Sequence, residues 1–239
     1  MAMKLLILSD VHSNLAALEA VLRAEPSFDR VLFLGDAVDY GPDPVACLDR
    51  LADLEPVWVR GNHDNAVATG ADCGCAAAFR RLSRASREFT RSVLRPDQLH
   101  LLRTLPVERT VSVGGQDFYL THASPADHLF EYVSPAADPQ RWARAMEAAP
   151  DRCRVILVGH THRPYLRPFR DKTAVNPGSV GQPRDHDPRA SYAVWEDGHI
   201  SLKRVSYDVA STVRRLEETG QPDEVVRALA VVLLRGGLP

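Results

Sequence analysis

The chain has 239 residues, 45% of them hydrophobic and 25% charged, which is the composition of an ordinary globular protein with ample material for a core. Its 29 Lys plus Arg against 31 Asp plus Glu leave a formal net charge of -2, which disfavours long nucleic acid as a partner, because phosphate backbones call for a basic stripe. No apolar stretch reaches membrane-spanning length, and the run after Met1-Ala2-Met3-Lys4 is too short for a secretory leader, so no membrane partner is expected and the cytoplasm is the expected compartment.

The first 62 residues alternate strand and helix. Lys4-Leu5-Leu6-Ile7-Leu8-Ser9 reads as a strand, followed by a helix with Leu15, Leu18, Val21 and Leu22 on one face and Ser13 or Asn14 as its cap. Val31-Leu32-Phe33-Leu34-Gly35 is the second strand. A Gly41-Pro42-Asp43-Pro44 turn then leads to a helix with Val45, Leu48 and Leu51 inward, and Pro56 to Arg60 is the third strand. This order predicts a parallel sheet covered by helices. Residues 65–75, rich in Ala, Gly and Asp, read as a loop. Helices are expected over 76–93 and 96–104, broken at Arg95-Pro96. Strands at 107–113 and 116–121 flank Gly114-Gly115, a hairpin signal. A short helix near 139–148 follows. Strands are expected at 154–158, 164–168, 173–176, 190–196 and 199–206. The tail reads as two amphipathic helices, one marked by Val209, Val213 and Leu216, the other opened by Pro222 and carrying Val225, Val226, Leu229 and Leu233. With no repeat or linker in view, the expected organisation is one α/β domain over 1–239, with a core over 1–207 and a helical appendage over 208–239.

Five of the apolar runs end in residues that can bind a metal. Asp10 and His12 follow the first, Asp36 and Asp39 the second, and Asn62-His63-Asp64 the third. Phe118-Tyr119-Leu120-Thr121 leads to His122, and Val155-Ile156-Leu157-Val158-Gly159 leads to His160 and His162. Open α/β sheets carry their chemistry just beyond the carboxyl ends of the strands, so these distant residues converge on one rim. Of the nine histidines, five lie in these motifs, and His100, His128, His186 and His199 do not. Asp10, His12, Asp36, Asn62, His122, His160 and His162 together offer two carboxylates, one amide and four imidazoles. Mixed N and O donors suit borderline divalent ions such as Mn, Fe, Zn, Ni or Co. Seven donors exceed one ion's normal demand on a protein, and two ions sharing a carboxylate is the economical solution. The four cysteines, Cys47, Cys73, Cys75 and Cys153, lack a zinc-site spacing, and Cys73-Gly74-Cys75 reads as a loop-borne pair of ordinary thiols.

Asp10-x-His12, Gly35-Asp36-x-x-Asp39, Gly61-Asn62-His63-Asp64, His122 and Gly159-His160-x-His162, in that order, resemble the signature of the calcineurin-like metallophosphoesterases. The nearest likeness is to their compact bacterial and archaeal phosphodiesterase branch, and it extends over roughly residues 4–206. The resemblance implies a two-sheet αββα sandwich that hydrolyses phosphate esters. It implies one ion on Asp10, His12, Asp36 and His162 and another on Asp36, Asn62, His122 and His160, with Asp36 bridging and a hydroxide between the ions as nucleophile. His63 would be the general acid, oriented by Asp39, with Asp64 in support together with unspecified backbone carbonyls.

One departure is informative. Phosphoprotein and dinucleoside-polyphosphate phosphatases of the superfamily carry Arg directly after the second Asp of the Gly-Asp motif, where it forks onto phosphate. Tyr40 stands there, which favours phosphodiesters. The alternatives are a phosphomonoesterase or a nucleotide pyrophosphatase, and, from a different class, a non-catalytic scaffold, which an eroded ligand set would have predicted. A small phosphate ester or nucleotide is the expected substrate. Candidate substrate contacts are Asn14, whose other reading is a helix cap, Tyr40, and Arg184, whose other reading is a solvated loop arginine. Arg80, Arg81, Arg84, Arg87 and Arg91 read as a solvated helical face, or one that borders the cleft. Asn62 alone would read as a turn residue, as Gly61-Asn62 suggests.

Overall fold

The structure, a computed structural model, describes residues 3–237; the outermost residues of the expected 1–239 unit, 1–2 and 238–239, lie outside the described residues. Two five-stranded mixed sheets face each other. The first contains β1 (Lys4–Leu8), β2 (Arg30–Phe33), β3 (Val57–Trp58), β9 (Ala190–Glu196) and β10 (His199–Val205), in the order β10-β9-β1-β2-β3. β1, β2 and β3 run parallel, and β9 and β10 are added antiparallel. The second contains β4 (Glu108–Val113), β5 (Gln116–Thr121), β6 (Val155–Leu157), β7 (Tyr165–Phe169) and β8 (Lys172–Asn176), in the order β4-β5-β6-β8-β7. Its three central strands are parallel and its edges antiparallel.

Alternation along the strands builds the layers. Leu5 and Ile7 of β1, Leu32 of β2, Phe118 and Leu120 of β5, and Val155 and Leu157 of β6 fill the space between the sheets, closed at one end by Trp195. Leu6, Leu8, Val31 and Phe33 point the other way, into α1 (Leu15–Ala24), α2 (Pro44–Ala52) and α5 (Pro96–Thr104). Tyr119, Ile156 and Ala174 meet Trp142 and Met146 of α6 (Pro139–Glu147) on the outer face of the second sheet. Strands buried on both faces read as unbroken apolar runs, which explains why β1, β2 and β6 stood out in the sequence. The result is the expected αββα sandwich.

Residues 65–75 correct the sequence reading. Asn62–Thr69 forms a helix, α3, and only the stretch from Gly70 to Ala76 is irregular. The Asp64 carboxylate accepts the free Gly61 N–H at 3.0 Å, Ala66 and Ala68 favour helix, and Gly70, at φ +81°, closes the helix with its N–H on the Ala66 carbonyl. Arg87, Arg91 and Arg103 donate to the carbonyls of Ala71, Val67 and Ala68 at the same end. The arginine face of α4 (Arg80–Val93) is thus mostly solvated, with Arg87 and Arg91 also donating to carbonyls at the end of α3. A 3₁₀ turn at Ala77–Phe79 precedes α4.

The tail forms α7 (Val209–Glu217) and α8 (Asp223–Arg235). Leu216, Val225, Val226, Leu229 and Leu233 pack on Tyr40, Ala66, Cys73, Cys75, Phe79 and Leu82. Leu229 and Leu233 line the same small cavity as His12 and Tyr40. The appendage therefore walls one side of the strand-end rim. Among the described residues, no helix is long and apolar enough to cross a membrane.

Candidate metal centre

The side chains at the carboxyl ends of β1, β2, β5 and β6 and at the start of α3 meet in one buried cluster. Asp10, His12, Asp36, Asn62, His122, His160 and His162 are each no more than 2% exposed. Close backbone approach makes this possible. A Cβ on Gly61 would run into the Asp36 carboxylate, and one on Gly159 into Ser9 Oγ and the Asp10 carboxylate. Eight non-glycine residues here, Asp10, His12, Ser13, Asp36, Asp39, Tyr40, His160 and His162, have positive φ between 46° and 70°. Such left-handed turns cost about 1–2 kcal/mol each, and their concentration at one rim marks a geometry imposed for its side chains.

Backbone carbonyls fix three of the imidazoles. His12 Nδ1 donates to Val38 O at 2.8 Å, His122 Nδ1 to Leu34 O at 2.7 Å and His162 Nδ1 to Gln182 O at 2.6 Å. A carbonyl only accepts, so each Nδ1 carries the hydrogen and each Nε2 turns inward. Burial holds His12, His160 and His162 below the usual histidine range, in the neutral form that binds cations. The Nε2 atoms of His12 and His162 then face each other at 3.3 Å with no hydrogen to share. His162 Nε2 lies 3.2 Å from Asp10 Oδ1, and His12 Nε2 lies 3.6 Å from Asp36 Oδ2. Asp10 Oδ1, Asp36 Oδ2 and His160 Nε2 are buried without a hydrogen-bond partner. On the other side, Asn62 Oδ1 faces His122 Nε2 at 2.9 Å and His160 Nδ1 at 3.1 Å. The opposed lone pairs of His12 and His162, and the unpartnered Asp10, Asp36 and His160 atoms, are costly alone in a dry site and are what a divalent cation requires. Asp10, His12 and His162, and separately Asp10, Asp36 and His122, bring donor atoms within 4.8 Å of one another. The donor set therefore fits divalent ions.

Charge follows the same geometry. Burial pushes Asp10 up to about 6. Burial also works against the charge on Asp36, but the neighbouring histidines outweigh it and hold that carboxyl well below its ordinary range. Burial opposes the charge on His122, yet Asp36 raises that ring to about 9.

His63 stands apart from the seven. Its Nδ1 donates to Asp39 Oδ2 at 2.8 Å, which leaves Nε2 directed away from Asp39. Burial disfavours its charged form, and the carboxylates of Asp36 and Asp39 more than offset that, so its pKa is raised. Asp64 points away from the cluster: its two oxygens accept the N–H groups of Asp36, Ala37 and Gly61 at 2.8 to 3.0 Å, tying the β2 turn to the start of α3. Burial lifts it to about 7. Tyr40 is buried, its ring centroid 4.9 Å from that of His12 and 4.8 Å from that of His63. Arg184 lies over Phe79 at 3.9 Å and 5.8 Å from the Tyr40 ring, at the edge of the site. Asn14 caps α1 by accepting from Ala17 N–H at 3.2 Å, and its amide donates to Gly181 O and the Tyr207 hydroxyl. Of its two sequence readings, the cap is the one seen.

Several contributors carry no motif. The Cys73 carbonyl accepts from Asn62 Nδ2 at 2.7 Å, and this bond aims Asn62 Oδ1 inward. Tyr132 stacks on His160 with ring centroids 3.8 Å apart. Ser9 Oγ donates to Asp10 Oδ2 at 2.5 Å.

The calcineurin-like phosphoesterase superfamily domain matches residues 3–197. A metallophosphoesterase from Sphaerobacter thermophilus is 32% identical, with a TM-score of 0.82 over 99% of this chain and 100% of that one. A hypothetical protein from Pyrococcus horikoshii shares the fold at a TM-score of 0.84 and 19% identity, over 99% of this chain and 100% of its own. Phosphodiesterase YfcE of Escherichia coli is 28% identical over 84% of this chain and 91% of its own length. With strand-end donors, sandwich and sequence in agreement, the chain belongs to the calcineurin-like phosphoesterase superfamily.

Proposed function

We propose that the chain is a metal-dependent phosphodiesterase acting on small phosphodiesters. The observation that carries this reading is the pairing of a convergent, fully buried donor set with a histidine, His63, that is held by Asp39 and left out of that set. Asp10, His12, Asp36 and His162 would hold one divalent ion, and Asp36, Asn62, His122 and His160 a second, with Asp36 shared. Mn, Fe, Zn, Ni and Co all suit these donors. Two such ions supply an acidified water and neutralise charge on the phosphate.

The remaining work falls to the chain's own side chains. His63 Nε2 donates a proton to the departing alkoxide, which matters most for a diester with a poor leaving group. Asp39 holds the ring in the Nδ1–H tautomer and favours its protonated form. Asp64 keeps Asp36 and Asn62 in register through the backbone. Arg184 offers a cation at the mouth, and Tyr40, in the position of the phosphatase-type Arg, offers none, which favours a singly charged diester over a doubly charged monoester. The name of the Escherichia coli relative agrees with this preference. Four free thiols suit the reducing cytoplasm, where we place the activity. We read 1–239 as one domain, its tail helices included.

The test is hydrolysis of bis-p-nitrophenyl phosphate by the purified protein with each of the five ions added, beside p-nitrophenyl phosphate and a nucleotide pyrophosphate. Diester turnover above the other two is expected, with metal analysis giving two ions per chain. A folded protein that turns over none of them with any ion overturns the proposal. Faster monoester or pyrophosphate cleavage transfers the assignment to those substrates.

A further inference from the structure

Beside the centre runs a groove of about 240 Å³ lined by Tyr132, Ser134, Pro135, Thr161, Arg163 and Arg184. Thr161 and Arg163 interleave in sequence with His160 and His162, and Tyr132 stacks on His160. The groove therefore adjoins the candidate ligands. Its lining contains two guanidinium groups and no carboxylate. Among the described residues, neither Arg163 nor Arg184 forms an ion pair. The two acids that follow Arg184 in sequence are committed elsewhere: Asp185 pairs with Arg204, and Asp187 with Arg189 and Arg204. Arg163 Nε donates to the Arg184 carbonyl at 2.9 Å, and Arg184 Nη2 donates to Gln182 Oε1 at 2.7 Å. Arg184 Nε is buried with no partner. A buried guanidinium donor left unmatched is costly, and two arginines held side by side suit the oxygens of a second phosphate.

We infer that this groove receives the leaving portion of the substrate, and that this portion is a small alcohol carrying a phosphate of its own, bound by Arg163 and Arg184. The inference rests on the phosphodiesterase reading and narrows its substrate class. The volume is below the roughly 300–1,000 Å³ of pockets for drug-sized ligands, which fits a phosphorylated sugar or polyol. The hydroxyls of Tyr132, Ser134 and Thr161 offer partners for such an alcohol. In the reaction, the bond from phosphorus to the leaving oxygen breaks and a bond to water oxygen forms. One water proton remains with the product acid, and the leaving oxygen takes its proton from His63, which later regains one from water.

Product inhibition tests this. Ribose 5-phosphate, ribose and inorganic phosphate are compared as inhibitors of bis-p-nitrophenyl phosphate turnover by wild type, Arg163→Ala and Arg163→Lys. Ribose 5-phosphate should inhibit well and ribose poorly. Arg163→Ala should raise the ribose 5-phosphate inhibition constant about tenfold, the scale of a lost charge-assisted hydrogen bond, and shift the inorganic phosphate constant far less, with Arg163→Lys recovering part of the loss. Equal inhibition by ribose, or equal shifts for both phosphates, overturns the inference. Calorimetric titration of the purified protein with ribose 5-phosphate reads the groove even if no diester is turned over. Binding weakened by Arg163→Ala then supports the groove while the phosphodiesterase reading fails, and no heat of binding in an active enzyme overturns the groove alone.

Discussion

At the level of single residues, the centre depends on which atom of each ring carries hydrogen. His63 and His12 lie close together, ring centroids 5.1 Å apart, yet Nδ1 of His12 meets the Val38 carbonyl and Nδ1 of His63 the Asp39 carboxylate; on the proposed reading the first ring binds a cation and the second carries a proton. His63→Ala should retain both ions and lose about 10²–10⁴-fold in rate on esters with poor leaving groups, with a smaller loss on p-nitrophenyl esters; loss of metal in that variant refutes the division of labour. The acid must be protonated to act, so rate falls as pH rises through its pKa. The Asp39 carboxylate at Nδ1 favours the protonated ring and so extends the alkaline limb to higher pH. Asp39→Asn removes a carboxylate and should move the limb to lower pH, as read from kcat against pH on an alkyl diester; an unmoved limb means another group titrates. The cluster itself was legible because Asp, Asn and His at strand ends have few structural uses together. The Cys73 carbonyl and the Tyr132 ring were not, since a carbonyl has no residue signature and a lone tyrosine outside the strand-end motifs carries no metal-site signal.

Among the elements, the short ones were hardest to bound. β3 keeps only Val57–Trp58 of the expected Pro56 to Arg60, because its ladder to β2 ends at Phe33 and Trp58. From residue 65 onward α3 reads as loop, because its helix signal is shared among Asp64, two alanines and a distant set of arginines rather than an apolar stripe. Where periodicity was strong, as in the β4–β5 hairpin and α8, reading and structure coincide. The turns between elements carry the tightest constraints. Gly159→Ala places a methyl group against Ser9 and the Asp10 carboxylate, so it should cost about 1–3 kcal/mol by overpacking and abolish metal uptake. Denaturant titration and metal analysis check both. Gly115→Ala, with open space around its Cβ but φ at +78°, should lose stability through backbone strain alone and keep its metal.

For the whole molecule, the tail helices belong to the site's wall. α8 reaches the cavity beside His12 and Tyr40, and the carbonyl of Gly236, the residue that caps it, accepts the His186 N–H at 2.8 Å, anchoring the loop that bears Arg184. A chain ended after residue 207 would expose Tyr40, Phe79 and Leu82 to water. It should be insoluble or melt well below the full chain, and limited proteolysis of the full chain should release no stable 1–207 fragment; a folded, active fragment would separate the appendage from the domain. The tail's amphipathic pattern was visible in the sequence, but its docking place was not, since periodicity gives a face and not its partner.

The depth of the centre also governs traffic. With every candidate ligand at most 2% exposed behind Tyr40, Phe79 and α8, a seated ion meets a chelator only when the wall opens. Its removal should then proceed at a rate that levels off as chelator concentration rises, set by the opening motion and steeply hastened by warming. A removal rate that climbs in proportion to chelator without levelling would mean that the ions exchange freely with solvent.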